Sequence, residues 1–436
     1  MKPINVGLLG FGTVGTGTAK VMIENGPLIE SRVGAPLVLK KIADLDTTTD
    51  RGVAIGPGVL TADAGGILND PEIDIVIELI GGYEPARTFV LQAISNKKNV
   101  VTANKALLAR HGNEIFAAAA KEGVEIAFEA SVGGGIPLIH SIKEGLVANH
   151  VKTLLGILNG TANYILTRMA DEGTSFERAL KEAQEKGYAE ADPTFDVEGI
   201  DTAHKLAILI ALSFGMPIDL DAVHTEGISE ITPFDMEFSR RFGYRIKLLA
   251  IAKDTADGVE ARVHPTMIPA ASMLANVKGS FNALRINGDM VGDILLYGRG
   301  AGMMPTGSAI VSDLVDVARN ILHDAVGRVP AIGCQPEAVC DRRVKSVDEL
   351  RTQYYFRFTA VDSPGVLSKI AGVLGAHGIS VESVQQKGRV AKGNVPIVMI
   401  THEAREADVR KALTEIDNLP IVHGKTMLIR IEGEGE

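Results

Sequence analysis

INVGLLGFGTVG, residues 4–15, reads as a short apolar strand running straight into a glycine-rich turn. The run from Ile4 to Leu9 has strand character, and residues 16–30 have the pattern of a helix. Between them Gly10, Gly12 and Gly15 follow the spacing GxGxxG. In a dinucleotide-binding fold the first glycine permits the turn, the second lets a pyrophosphate approach the backbone, and the third lets helix and strand pack closely, with the phosphates on the helix N-terminus. The pattern alone is weak evidence. Here further strand-like runs follow at residues 38–43, 73–79, 100–102 and 125–129, as a parallel α/β domain over residues 1–130 requires. The second run ends in Ala43-Asp44. Asp44 is either an acceptor for a ribose 2′-hydroxyl, which disfavours a 2′-phosphate, or a plain turn residue, while Lys40, Lys41 and Arg51 close by favour the phosphate. Both NAD and NADP stay open.

The 436 residues suit two or three domains with large cores. A net charge of −10 without any block rich in Lys and Arg argues against nucleic acid or an anionic membrane surface as partner. No uninterrupted apolar run is long enough to span a bilayer, and the N-terminus enters the first strand with no room for a signal peptide. Cys334 and Cys340 form neither a metal-ligand pattern nor a disulfide framework. A cytoplasmic protein is expected.

Downstream, Glu129-Ala-Ser-Val-Gly-Gly-Gly-Ile-Pro137 places three glycines beyond a strand's C-terminal end, where open α/β sheets bind ligands. A domain hinge reads the same way. Residues 151–296 are mixed α+β, with strands expected at 151–158, 248–253, 258–265 and 282–284 and helices at 164–172 and 176–186. Within them GYAEADPTFDVEGIDTAHK, residues 187–205, concentrates carboxylates and ends on one lysine before LAILIALSF. A helix over 197–214 is apolar nearly all round after Asp201, hence buried. Asp201 and Lys205 then share one face, either as a proton-transfer pair or as a structural ion pair. Asp192 and Asp196 sit beside Pro193, where turn chemistry also accounts for them. Gly298-Arg-Gly-Ala-Gly302 precedes Pro305-Thr-Gly-Ser308, whose hydroxyls are expected to cap a helix ending at Leu322 and completing the first domain. Past a charged connector, residues 354–436 read βαββαβ, a ferredoxin-like unit expected to fold separately.

With these motifs together, in this order, the chain resembles homoserine dehydrogenase over nearly its whole length. The resemblance is carried by GFGTVG at 10–15, TANKALLA at 102–109, EASVGGGIP at 129–137, GILNGTANYIL from Gly156, the acidic segment to Lys205, and GRGAGMMPTGSAIVSDLVD from Gly298. The tail, with DSPGVL at 362–367, is similar to an ACT domain. The resemblance implies interconversion of L-aspartate 4-semialdehyde and L-homoserine with NAD or NADP, on the route to threonine, methionine and isoleucine. It implies Lys205 as proton donor with Asp201 as its partner, Lys105 between cofactor and substrate, and Glu190 on homoserine. It also implies cofactor contacts at Phe11, Thr13, Val14 and Gly302, and a monovalent cation, sodium, held at Glu129, Val132, Gly134 and Ile136 mostly by backbone carbonyls. The fold implied is a Rossmann-type domain (1–130 with helix 305–322), an α+β catalytic and dimerisation domain (131–304), a connector (323–353) and an ACT domain (354–436). A homodimer or homotetramer is expected, with threonine as effector near residues 362–367.

The chemistry agrees. Hydride transfer to an aldehyde leaves an alkoxide, which needs cations and a proton donor, and two lysines supply them. Glu190, with Asp192 or Asp196, can pair with the substrate's α-ammonium. A rival phosphorylating aldehyde dehydrogenase needs a cysteine nucleophile, yet both cysteines fall after the presumed catalytic region. A non-catalytic sensor of dinucleotide and amino acid leaves Lys205 unexplained.

Overall fold

In a computed structural model, residues 2–386 and 394–433 are described; 387–393 and 434–436, within the span expected to be ACT-like, lie outside the described residues, as does Met1. Two compact units are each woven from three segments: Met1–Leu154, Thr202–Val223 and Phe281–Arg342 in one, Leu155–Asp201, His224–Ser280 and Arg343–Glu436 in the other.

The first unit is built on a six-stranded parallel sheet in the order Leu60–Thr61, Leu37–Ala43, Ile4–Leu9, Ile75–Glu78, Asn99–Thr102, Ile126–Ala127. Strands Ile75–Glu78 and Asn99–Thr102 are buried on both faces, which is why they read as unbroken apolar runs rather than alternating ones. Helices Thr13–Glu24 and Met303–Leu322 cross at backbone contact. A Cβ on Gly17 would lie 2.3 Å from the Met303 carbonyl, and one on Gly307 would lie 2.7 Å from the Gly17 backbone. Ile310, Leu314 and Val317 share one core with Val6, Leu8 and Val101.

Three local expectations need correction here. The single helix over 16–30 is two, Thr13–Glu24 and Gly26–Val33, because Pro27 lacks an N–H and its ring would strike the preceding turn, so the chain restarts with Pro27 in a new first turn. The fifth long strand stops at Ala127, and Glu129–Ser131 forms a 3₁₀ turn. The helix expected to open with a serine or threonine cap at 305–308 starts earlier, at Met303, with Gly302 (φ +122°) as N-cap and no side-chain cap. Pro305 is tolerated inside the first turn because its missing N–H would have no helical partner there.

In the second unit Tyr244–Thr255 and Gly258–Pro269 pair antiparallel along their full length. Strand Met427–Ile431 lies parallel to Gly258–Pro269 on one side and antiparallel to Arg351–Val361 on the other, followed by Asn394–Thr401 and Val381–Gln386. Helices Val366–Ala376 and Glu406–Asp417 bury Ile370, Leu374, Val409 and Ile416 against this sheet. The βαββαβ order is as expected, and the unit is joined to the middle segment. The tail's last strand continues the sheet of the middle segment, and buried ions cross the seam. Arg357 meets Asp235 at 2.7 Å, the Tyr355 hydroxyl donates to Asp235 at 2.9 Å, and Arg430 pairs with Glu226 at 2.7 Å and Glu406 at 2.6 Å. Periodicity reveals a strand but not what borders it. No helix among the described residues is long and apolar enough to cross a membrane.

Candidate functional site

In the first unit the glycine turn leaves strand Ile4–Leu9 at its carboxyl end, beside strand Ile75–Glu78, where the strand order reverses and open sheets hold their ligands. Gly10 (φ +95°) turns so tightly that a Cβ would sit 2.6 Å from the Leu79 carbonyl, and Gly15 lies against the Gly10 carbonyl, 2.2 Å from where its Cβ would be. Gly12 differs, with nothing within 4 Å of a Cβ. It is the N-cap of Thr13–Glu24 and no side chain caps that helix, so the first-turn N–H groups of Thr13 and Val14 face outward from the loop. Asp44 braces the turn: its carboxylate accepts from the Phe11 N–H at 2.5 Å and the Asp46 N–H at 2.9 Å, with Arg51 at 3.6 Å. The Arg51 guanidinium also lies over the Phe11 ring, 5.1 Å from its centroid. Asp44 thus serves the turn, and Arg51 is the cation that stands beside it.

Lys105 opens the helix Lys105–Glu122, directly after strand Asn99–Thr102. Asn104 fixes that corner. Its side chain accepts from the Leu107 N–H at 3.0 Å and donates to the Gly82 carbonyl at 2.8 Å, while Thr102 donates to the buried Glu78 carboxylate at 2.7 Å. Gly134 (φ +56°) approaches the Gly300 backbone so closely that a Cβ would lie 2.5 Å from it, and the Gly135 N–H donates to the Arg299 carbonyl at 3.1 Å. The triple glycine is thus a close backbone approach, setting Val132, Gly134 and Ile136 beside the loop that leads to Gly302.

Glu129 is buried, and its carboxylate accepts from the Ile139 N–H at 2.9 Å, the His140 N–H at 2.8 Å and His140 Nδ1 at 2.7 Å. Hydrogen bonds to Asp316 and Glu129 raise His140 to about 10, and burial together with the Glu129 charge pushes Asp313 up to about 8. Glu129 is therefore first a helix cap and the counter-ion of His140, with part of its acceptor capacity left for a cation.

Helix Ile200–Phe214 carries both Asp201 and Lys205, and every residue from Asp201 to Leu212 is buried, Asp201 at 3% exposure and Lys205 at 8%. Its start is later than expected because Gly199 (φ +79°) separates it from the short helix Thr194–Val197. In the second unit the Asn159 side chain does three things at once. It caps helix Gly160–Glu172 by accepting from the Ala162 N–H at 2.7 Å, and it donates to Asp201 at 2.8 Å and to Asp196 at 2.7 Å. The motif GILNGTANYIL from Gly156 contains Asn159 but assigns it no role; its N-cap position ahead of Gly-Thr-Ala was the available signal. Asp192 accepts from the Thr194 N–H at 3.1 Å, a turn role, which separates it from Asp196. Glu190 is exposed, and its carbonyl accepts from Gln184. Cys340 is exposed and Cys334 half-buried, where burial raises the thiol, the opposite of an activated nucleophile.

Comparison with known proteins gives the family. Family models described as homoserine dehydrogenase, its NAD binding domain, and the ACT domain match residues 137–315, 10–129 and 354–421. A homoserine dehydrogenase of Pseudomonas aeruginosa is 48% identical over 433 residues, covering 99% of each chain, and one of Bacillus subtilis is 41% identical over 438 residues, covering 100% of each. The crystal structure of a homoserine dehydrogenase from Thiobacillus denitrificans superposes with a TM-score of 0.94 at 49% identity over 99% of both chains. A hyperthermophilic archaeal homoserine dehydrogenase in complex with NADPH covers 72% of this chain and 98% of its own, at 26% identity and a TM-score of 0.62. This chain, with its dinucleotide loop, its buried lysine helix and its ferredoxin-like tail, belongs to the homoserine dehydrogenase family.

Proposed function

We propose that this NAD(P)-dependent oxidoreductase of amino-acid biosynthesis interconverts L-aspartate 4-semialdehyde and L-homoserine with Lys205 as proton donor. The observation that carries the reading is the buried helix that holds Lys205 four residues after an Asp201 fixed by Asn159. When bound, the nicotinamide supplies the hydride. Lys205 gives a proton to the oxygen that becomes the alcohol, and Lys105, at a helix N-terminus, adds positive charge toward the same developing alkoxide. Asp201, four residues before Lys205 on the same helix face, orients it. Glu190 pairs with the α-ammonium, and Asp196, tied to Asn159, adds a second carboxylate for it.

Gly10 to Gly15 bind the pyrophosphate with Phe11, Thr13 and Val14, and Gly302 at the second uncapped helix adds to that contact. Asp44 and Arg51 offer opposite signs to the ribose, which suits use of both NAD and NADP. The carbonyls of Val132, Gly134 and Ile136 and the Glu129 carboxylate are hard oxygen donors of the kind that suit sodium. The chain is divided functionally as 1–130 with 305–322, 131–304, 323–353 and 354–436. It works in the cytoplasm as a homodimer or homotetramer, and threonine acts at residues 362–367. The enzyme reading stands over the sensor because a sensor has no use for a buried lysine. Oxidation of NADH or NADPH by the purified protein with aspartate semialdehyde tests it, and absence of turnover with either cofactor refutes it.

A further inference from the structure

Where the connector meets the ferredoxin-like tail, four cations, Arg343, Lys345, Arg351 and Arg405, line a cavity of about 530 Å³ together with three carboxylates. The walls are fixed by backbone. The Val259 N–H donates to the Arg343 carbonyl at 2.9 Å, and the Lys345 N–H donates back to Val259 at 2.8 Å. Gly258 (φ +136°) lets the connector approach so closely that a Cβ would sit 2.6 Å from the Arg343 carbonyl. A Ser346/Glu349 capping box then folds the turn Val347–Glu349 that delivers Arg351 to its strand.

The charges on this wall do not cancel. Arg343 pairs with Glu349 at 2.6 Å, and Lys345 reaches Glu260 at 3.3 Å. Arg351 and Arg405 are left, directly opposite each other in the antiparallel bridge that joins their strands. Arg405 donates only to the Asp348 carbonyl, at 3.3 Å, and neither guanidinium has a carboxylate partner among the described residues. Like charges in directly opposed positions weaken a strand pairing, and an anion between them reverses the sign. The third carboxylate, Asp257, likewise has no ion pair among the described residues. The uncompensated set is two guanidiniums and one carboxylate, whose complement is two carboxylates and one ammonium.

We propose that this cavity binds an acidic amino acid, its two carboxylates on Arg351 and Arg405 and its α-ammonium on Asp257. Guanidinium forks take carboxylates two bonds at a time, which favours a ligand with planar anionic ends. The site lies at the other end of the strand Arg351–Val361 from the turn at residues 362–367, roughly 33 Å away at the rise of a strand. It does not depend on the dehydrogenase assignment.

The test is calorimetric titration of the full-length protein with L-aspartate and L-glutamate, beside succinate and inorganic phosphate. Arg351→Gln with Arg405→Gln should weaken amino-acid binding at least about tenfold while leaving turnover unchanged and the ligand-free melting temperature no lower than the parent's, since both side chains are exposed and their mutual repulsion is relieved. Asp257→Asn should abolish the preference for the amino acid over succinate. The proposal is overturned if neither amino acid binds at millimolar concentration, if the double variant binds as well as the parent, or if phosphate binds as tightly. A double variant that fails to fold transfers the decision to Asp257→Asn, where an unchanged preference also overturns it.

Discussion

Lys205 is 8% exposed on a helix with no other cation, so its role can be tested cleanly. Lys205→Met keeps the apolar stem and removes the proton; kcat should fall by about two orders of magnitude or more with cofactor KM nearly unchanged, and steady-state kinetics with unaltered turnover would remove it from the mechanism. At Asp44 two functions overlap. Asp44→Ser deletes the charge beside Arg51, so the kcat/KM ratio should shift toward NADP at least severalfold, while loss of the Phe11 contact raises KM for both cofactors. A rise in KM without a change of ratio means that the residue serves the turn alone. Lys205 and Asp201 were legible in sequence because an ionisable residue at the head of an apolar run stands out. Asn159 was not, since its carboxylate partners lie 37 and 42 residues away and only the folded turn brings them together.

Among the elements, the parallel sheet was readable because strands buried on both faces are short apolar runs, and the glycine turn supplied the boundary. Helix ends were less readable: Pro305 is equally at home in several positions of a first turn, and nothing in sequence distinguishes them. Two glycines of this region should behave in opposite ways. Gly12→Ala meets no atom, so stability should change by less than about 0.5 kcal/mol while the cofactor KM rises at least about tenfold, because the methyl group stands where a pyrophosphate would approach. Gly134→Ala forces both a left-handed backbone and a clash with Gly300, so it should lower the melting temperature with a cost of at least about 1–2 kcal/mol. Calorimetric melting beside cofactor titration separates the two, and equal behaviour would contradict the geometry.

At the scale of the molecule, the second unit is held by ions that the tail shares with the middle segment. Arg430→Met takes from the buried Glu406 and the half-exposed Glu226 the cation they share, and should cost about 3 kcal/mol in denaturant unfolding. A chain cut near Arg351 loses Arg357, Arg430 and Glu432 together, so it should be poorly soluble rather than an active remnant, and a soluble, fully active fragment would refute this. Acid should act on the same seam. Burial and the charges of Arg430 and Arg262 hold His264 well below its usual value, and against burial the hydrogen bonds of His224 and Arg430 keep Glu226 low, as those of Arg430 keep Glu406 low. All three are depressed in the fold. Their stabilisation is present above the unfolded values and lost on acidification, so the opening free energy of this seam should fall once pH drops below about 6.5, and faster below about 4.3, while the raised Asp313 of the first unit acts in the opposite direction over the same range. Amide exchange of strand Met427–Ile431 that stays level down to pH about 5 would contradict it. The sheet that the tail shares with the middle segment was not legible in sequence, because a βαββαβ pattern says nothing about its neighbours. The parallel pairing of Gly258–Pro269 with Met427–Ile431 also has a consequence for synthesis. Arg262 and its partner Glu432 are 170 residues apart, and at about 5–20 residues per second a ribosome needs on the order of ten seconds or more to deliver the second after the first. For that interval the nascent middle segment presents an open, apolar strand edge to the cell, which makes it the place where a trigger-type chaperone would be needed and where slowed translation would favour aggregation.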